Sequence, residues 1–103
     1  MQFKDYLASF PAIDRGLDVK NATGEIIHTI PAIEGKLGSL KLYHALFAKF
    51  DGKLTACSAQ QGLEWFAEHV EDAKQHPGKH PNIDLLNQVI SENLQLSLVP
   101  LIK

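Results

Sequence analysis

One hundred and three residues, 45% of them hydrophobic and 21% charged, describe one compact globular domain and exclude a disordered or low-complexity chain. Ten basic against twelve acidic residues leave a net charge of −2, and Arg15 is the only arginine. Nucleic acid is excluded as the main partner on that balance, because its binders gather Lys and Arg on one face to displace counterions. The lone Cys57 cannot form an internal disulfide, and the sequence shows neither a secretory leader nor an apolar run of membrane-spanning length, so a cytosolic domain with no membrane partner is expected.

From the N-terminus, Phe3, Tyr6, Leu7 and Phe10 have the spacing of a short helix, a lid on the core that Pro11 stops. At Leu17 the period changes to two. Leu17 and Val19 face one way and Asp18 and Lys20 the other, as in a half-buried strand. Asn21-Ala22-Thr23-Gly24 supplies turn residues, and Glu25 to Ile30 reads as the returning strand of a hairpin, ended by Pro31. His28 shares the face of Ile26 and Ile30 and is expected to be a hydrogen-bonded core histidine. Leu40 to Phe50 is apolar nearly all round, which predicts a central buried helix, closed by Asp51-Gly52. Thr55 is placed to cap the longest helix, Ala56 to Gln75, which Pro77-Gly78 ends. A small residue between Ala56 and Ala59, Cys57 reads as buried packing. A third helix spans Pro81 to Glu92 with Ile83, Leu86, Val89 and Ile90 inward. Leu94 to Leu98 returns to period two, and Pro100, which cannot donate to a ladder, puts this strand at a sheet edge or ends it there.

The order α-β-β-α-α-α-β predicts an α+β domain: a small, mostly antiparallel three-stranded sheet with three main helices on one face. Its other face would expose Ile27 and Val99, which predicts a homo-oligomer, most simply a two-fold dimer.

Two segments, Gly35-Lys36-Leu37-Gly38-Ser39-Leu40-Lys41-Leu42-Tyr43 and the run from Gly62-Leu63-Glu64 through His69 to Pro77-Gly78-Lys79-His80-Pro81-Asn82-Ile83-Asp84, together with the opening Met1-Gln2-Phe3-Lys4-Asp5, resemble a family of small bacterial proteins known as domain of unknown function 2322. The resemblance spans the whole chain. It implies a bacterial, single-domain protein and carries over no catalytic or binding residue.

On the long predicted helix, Ala59, Leu63, Phe66, Val70 and Ala73 form a core stripe. Beside it runs a second stripe, Ser58, Gly62, Trp65, His69, Asp72 and His76, on one side of the helix. His69, Asp72 and His76, with His80 from the following loop, are nitrogen and oxygen donors of the kind that hold a divalent metal such as zinc, and Gly62 leaves space on the same side. His69 and His76 lie about 10 Å apart along a helix axis, which favours Asp72 with His76 as the core pair, completed by His80 or by a second chain. Against that stands the plainer reading of a boundary stripe with half-exposed histidines near a helix C-terminus. Each Gly-Lys loop precedes a helix, so Gly35 to Ser39, or Lys79 with His80, could place a phosphate or carboxylate at helix N-terminal donors; the plainer reading is a pair of turns with Ser39 as a cap. No catalytic residue is assigned. Two functions stand side by side: a non-enzymatic binding module that self-associates, and a small metal- or anion-dependent enzyme or sensor built on His69, Asp72, His76, Lys79 and His80.

Overall fold

The computed structural model describes residues 2–10, 15–33 and 37–101. Among them are five helices and four strands, in the order α1 (Phe3–Leu7), β1 (Leu17–Lys20), β2 (Ile26–Ile30), α2 (Leu37–Phe50), β3 (Lys53–Leu54), α3 (Ala56–Phe66), α4 (His69–Gln75), α5 (Pro81–Glu92) and β4 (Leu96–Pro100). The α+β class is as the sequence predicts, but the sheet has four strands, all antiparallel, ordered β2-β1-β4-β3. The missed strand, β3, is two residues long, too short to show a period of two. No described helix is long and apolar enough to cross a membrane.

Of the two expectations for the last strand, the edge position fails and the ending holds: β4 pairs with β1 on one side and β3 on the other, and its last residue is Pro100. Pro100 is tolerated because of its register. Leu101 N–H donates to Gly16 O across the β1 side, and Leu98 N–H donates to Gly52 O on the opposite side. Even-numbered β4 residues therefore aim their N–H toward β3, which ends opposite Leu96 and Ser97, so the donor that Pro100 lacks would have met no strand.

Leu17, Val19, Ile30, Leu96 and Leu98 turn one face of the sheet into a buried floor. The central helix α2 lies over β1, β3 and β4, with α3 against α2 and β3, and α5 against α3. Leu40, Leu42, Tyr43 and Leu46 of α2 are fully buried, as the all-round apolar pattern requires. Asp18, on the opposite face of β1, is also buried, its carboxylate accepting a hydrogen bond from the Thr29 hydroxyl at 2.8 Å. That pairing lets a charge sit in the middle of the sheet.

The long helix is two helices. α3 stops at Phe66, Ala67 takes φ 51° and ψ −119°, and α4 starts at His69. Cys57 is exposed rather than packed. Gly62 leaves no room for a ligand, since a Cβ there would stand 2.7 Å from Leu86 Cδ1 and 3.1 Å from Leu46 Cδ1. It is the point where α3 meets α2 and α5.

Candidate functional site

The break at Ala67 reorients the histidine stripe. Its N–H reaches the carbonyls of Leu63 and Glu64, closing α3, and its own carbonyl accepts from Val70 N–H to start α4. His69 then lies edge-on to the Phe3 ring, with centroids 4.8 Å apart, while Phe3 stacks on Phe66 at 5.4 Å. Helix α1 is fastened there by the Glu68 carboxylate, which accepts the Phe3 N–H at 2.8 Å. That bond holds the Glu68 carboxyl below the usual carboxylate range.

Asp72 gathers the next turn and the loop after it. His80 Nε2–H donates to Asp72 Oδ2 at 2.6 Å, and the Lys79 ammonium stands 3.1 Å from the same oxygen. His76 Nε2 is 3.8 Å from Oδ1. The His80 hydrogen bond, and after it that of Lys79, keeps the Asp72 carboxyl depressed. With Nε2 committed to Asp72, neutral His80 carries its lone pair on Nδ1.

These contacts decide which predicted groups meet. His80, Asp72 and Lys79 form one cluster, and the ring of His69 lies 5.5 Å from that of His80. His76 is the outlying member, its side chain 60% exposed. Among the described residues, no three His, Cys, Asp or Glu side chains are gathered to hold a metal ion. A lysine ammonium occupies the Asp72 oxygen that His80 also uses, where the metal reading needs a cation.

The first turn of α5 is pinned by a residue that the sequence reading passed over. The Asn82 carbonyl accepts from the buried Tyr43 hydroxyl at 2.6 Å, and its side-chain Oδ1 accepts from His28 Nε2–H at 2.6 Å. Burial pushes the Tyr43 hydroxyl far above its usual range, so it remains a donor at any physiological pH. Asn82 thus ties α5 to α2 and to β2. His28 is hydrogen-bonded as its strand position implied, but it is half-buried rather than in the core, and Ile26 of the same strand is exposed. No local signal marks Asn82, because both partners are distant in sequence.

Between these elements lies a cavity of about 290 Å³. Phe3, Phe66 and His69 form one wall; Gly38 and Ser39, in the first turn of α2, form another; Lys79, His80 and the start of α5 complete it. Phe3 and Leu7 pack close on Gly38, so that glycine serves the contact between α1 and α2. Gly35 and Lys36 of the first Gly-Lys loop lie outside the described residues. In the second loop, Ile83 and Asp84 N–H are both spent on the His80 carbonyl and Pro81 has none, so Asn82 carries the spare N–H of the first turn. The donors available to an anion are therefore chiefly side chains.

No curated protein and no solved structure matches the chain. A single family model covers residues 3–100, and the chain belongs to that family, DUF2322, described as an uncharacterized protein conserved in bacteria.

Proposed function

We propose that the protein is a non-enzymatic binding module whose ligand is a small phosphate- or carboxylate-bearing molecule taken into the cavity between α1, α2 and α5. One observation carries the reading. The first turn of α2 and the second Gly-Lys loop, far apart in sequence, meet there, with Gly38 and Ser39 facing Lys79, His80 and Asn82 across one cleft. Lys79 supplies a mobile positive charge with two further donors, and His80, oriented by Asp72, supplies a fixed ring. Asp72 competes with any anion for both, which makes the affinity moderate.

Thermal unfolding in phosphate against chloride at equal ionic strength tests it. A ligand at a hundred times its Kd stabilises by about 2.7 kcal/mol, a rise of several degrees, and Lys79→Ala should remove most of that rise. Equal phosphate-induced shifts in both proteins would reduce the effect to general salt exclusion and end the reading.

A second reading, self-association, rests on β2. Among the described residues it is an edge strand, bonded to β1 alone, and it exposes Ile26 (56%) and Ile27 (46%), while Val99 is half-buried. A second copy pairing along β2 would cover these isoleucines and the strand's open backbone groups. Light scattering giving the monomer mass at high micromolar concentration would exclude it.

A further inference from the structure

A second cavity, about 220 Å³, shares no lining residue with the first. It opens along α2, where Lys41, His44, Ala45 and Ala48 recur at the spacing of a single helix face. Ala45 and Ala48 make an apolar floor, Pro100 closes one side, and the ring of Phe47, 37% exposed, stands at the other. That ring packs against Gly52, where a Cβ would lie 3.2 Å from Phe47 Cε2.

Two cationic residues line this groove, Arg15 and Lys41, and among the described residues no carboxylate does. Among the described residues neither cation has an ion-pair partner. His44, almost fully buried, reaches the Arg15 carbonyl with Nε2 at 3.2 Å and so anchors the backbone that carries the guanidinium. Burial holds the His44 pKa below its ordinary value, against the hydrogen bond to the Arg15 carbonyl, which raises it, and with the positive charge of Arg15, which lowers it; toward a carbonyl acceptor Nε2–H is the donor.

We propose that this groove binds a small aliphatic monocarboxylate, its carboxylate on Arg15 and Lys41 and its tail on Ala45, Ala48 and the Phe47 ring. The guanidinium fork matches a carboxylate, and a predominantly apolar floor demands that the ligand bring a tail. The volume falls below the range of roughly 300–1,000 Å³ used by drug-sized ligands, which selects a short acid over a long-chain lipid.

Amide NMR titrations of the whole chain with hexanoate, acetate and hexanol separate charge from tail. Hexanoate is expected to shift the amides of Lys41, His44, Ala45 and Ala48 saturably, and to bind about fivefold or more tightly than either control. Arg15→Ala and Lys41→Ala should each weaken it about fivefold. Ala48→Glu, on the exposed side of α2, should abolish it with the rest of the spectrum unchanged, whereas Lys79→Ala should leave it intact. Four results overturn the proposal: acetate binding as well as hexanoate, hexanol binding as well as hexanoate, shifts confined to the Lys79–His80 cleft, or the same amides moving on simple dilution of the protein, which would assign the groove to a second copy.

Discussion

Gly62→Ala sets two effects of similar size against each other. Gly62 lies inside α3, where alanine is favoured over glycine by about 1 kcal/mol because it has less backbone freedom to lose. The new Cβ, however, would sit 2.7 Å from Leu86 Cδ1, about 0.8 Å inside the roughly 3.5 Å at which carbon atoms normally touch. Leu86 and Leu46 are both fully buried, so neither can swing into solvent to make room. Overpacking of this kind costs about 1–3 kcal/mol, which leaves a net destabilisation of about 1 kcal/mol and a fall in Tm of about 4 °C or more. Urea unfolding followed by the fluorescence of Trp65, the sole tryptophan, measures it. The second arm is more discriminating. Leu86→Ala alone should cost about 2–5 kcal/mol, and in that background Gly62→Ala should become stabilising, because the closest atom is gone and the propensity gain remains. A stabilising Gly62→Ala in the wild-type background would show that the three helices separate freely, and would refute the tight crossing.

Four further outcomes are expected. Tyr43→Phe removes the hydrogen bond that the Asn82 carbonyl accepts from outside its helix and should cost about 0.5–1.5 kcal/mol by chemical denaturation. Ala67→Gly should raise stability by up to about 1 kcal/mol, since relief of the left-handed backbone exceeds the added chain entropy; a loss of more than that would contradict the strain at φ 51°. Stability should fall on acidification in two stages. His44 has a folded pKa below its ordinary 6.5, so the unfolded chain binds more protons and stability declines as pH drops from about 6.5 toward the folded value; Glu68 and Asp72, depressed in the fold, contribute above the ordinary carboxylate range and lose that contribution as pH falls through their folded values. His44→Gln, followed by melting against pH, should remove the first stage alone. Chelation by EDTA should leave Tm unchanged, because the Lys79 ammonium already stands on Asp72; a drop of several degrees, with metal found by elemental analysis, would favour the reading in which Asp72, His76 and His80 hold a cation.

Much of the fold is written locally. The hairpin, the buried α2 and the bounds of α5 follow from period, turn residues and caps acting within a few positions. What escaped depends on distant partners. β3 exists because two residues happen to lie beside Leu96 and Ser97, and Pro100 is harmless inside the sheet only because the neighbour on its N–H side has ended. Ala67 is the sharpest case. Alanine is the best helix former, so nothing at that position signals a break, yet the break is what carries His69 away from a continuous stripe and toward Phe3. Of the candidate groups, Asp72, His76, Lys79 and His80 were marked by residue type and helical spacing, but spacing favoured His76 as the partner of Asp72, where the fold brings His80 and Lys79. The support by Asn82, Tyr43 and His28 was not legible.

The walls of the cleft therefore differ in how firmly they are held. The α5 side is tied by Asn82 to two elements at once, through a fully buried hydroxyl and a half-buried imidazole, so moving it means breaking hydrogen bonds that water cannot readily replace. The α1 side is a five-residue helix with no buried residue, held by ring contacts to Phe66 and His69 and by an exposed bond to Glu68. Few buried contacts and a solvent-exposed hydrogen bond mark the low-stability end of a structure. Opening the cleft from the α1 side thus costs far less than opening it from the α5 side. If the cleft takes the proposed ligand, that asymmetry makes the aromatic wall the side that opens, with the backbone that carries Lys79 and His80 held in register. A ligand that touches Phe3 gains the closure of that wall as part of its binding, so its affinity would fall on truncating Phe3 even though no charged group had changed.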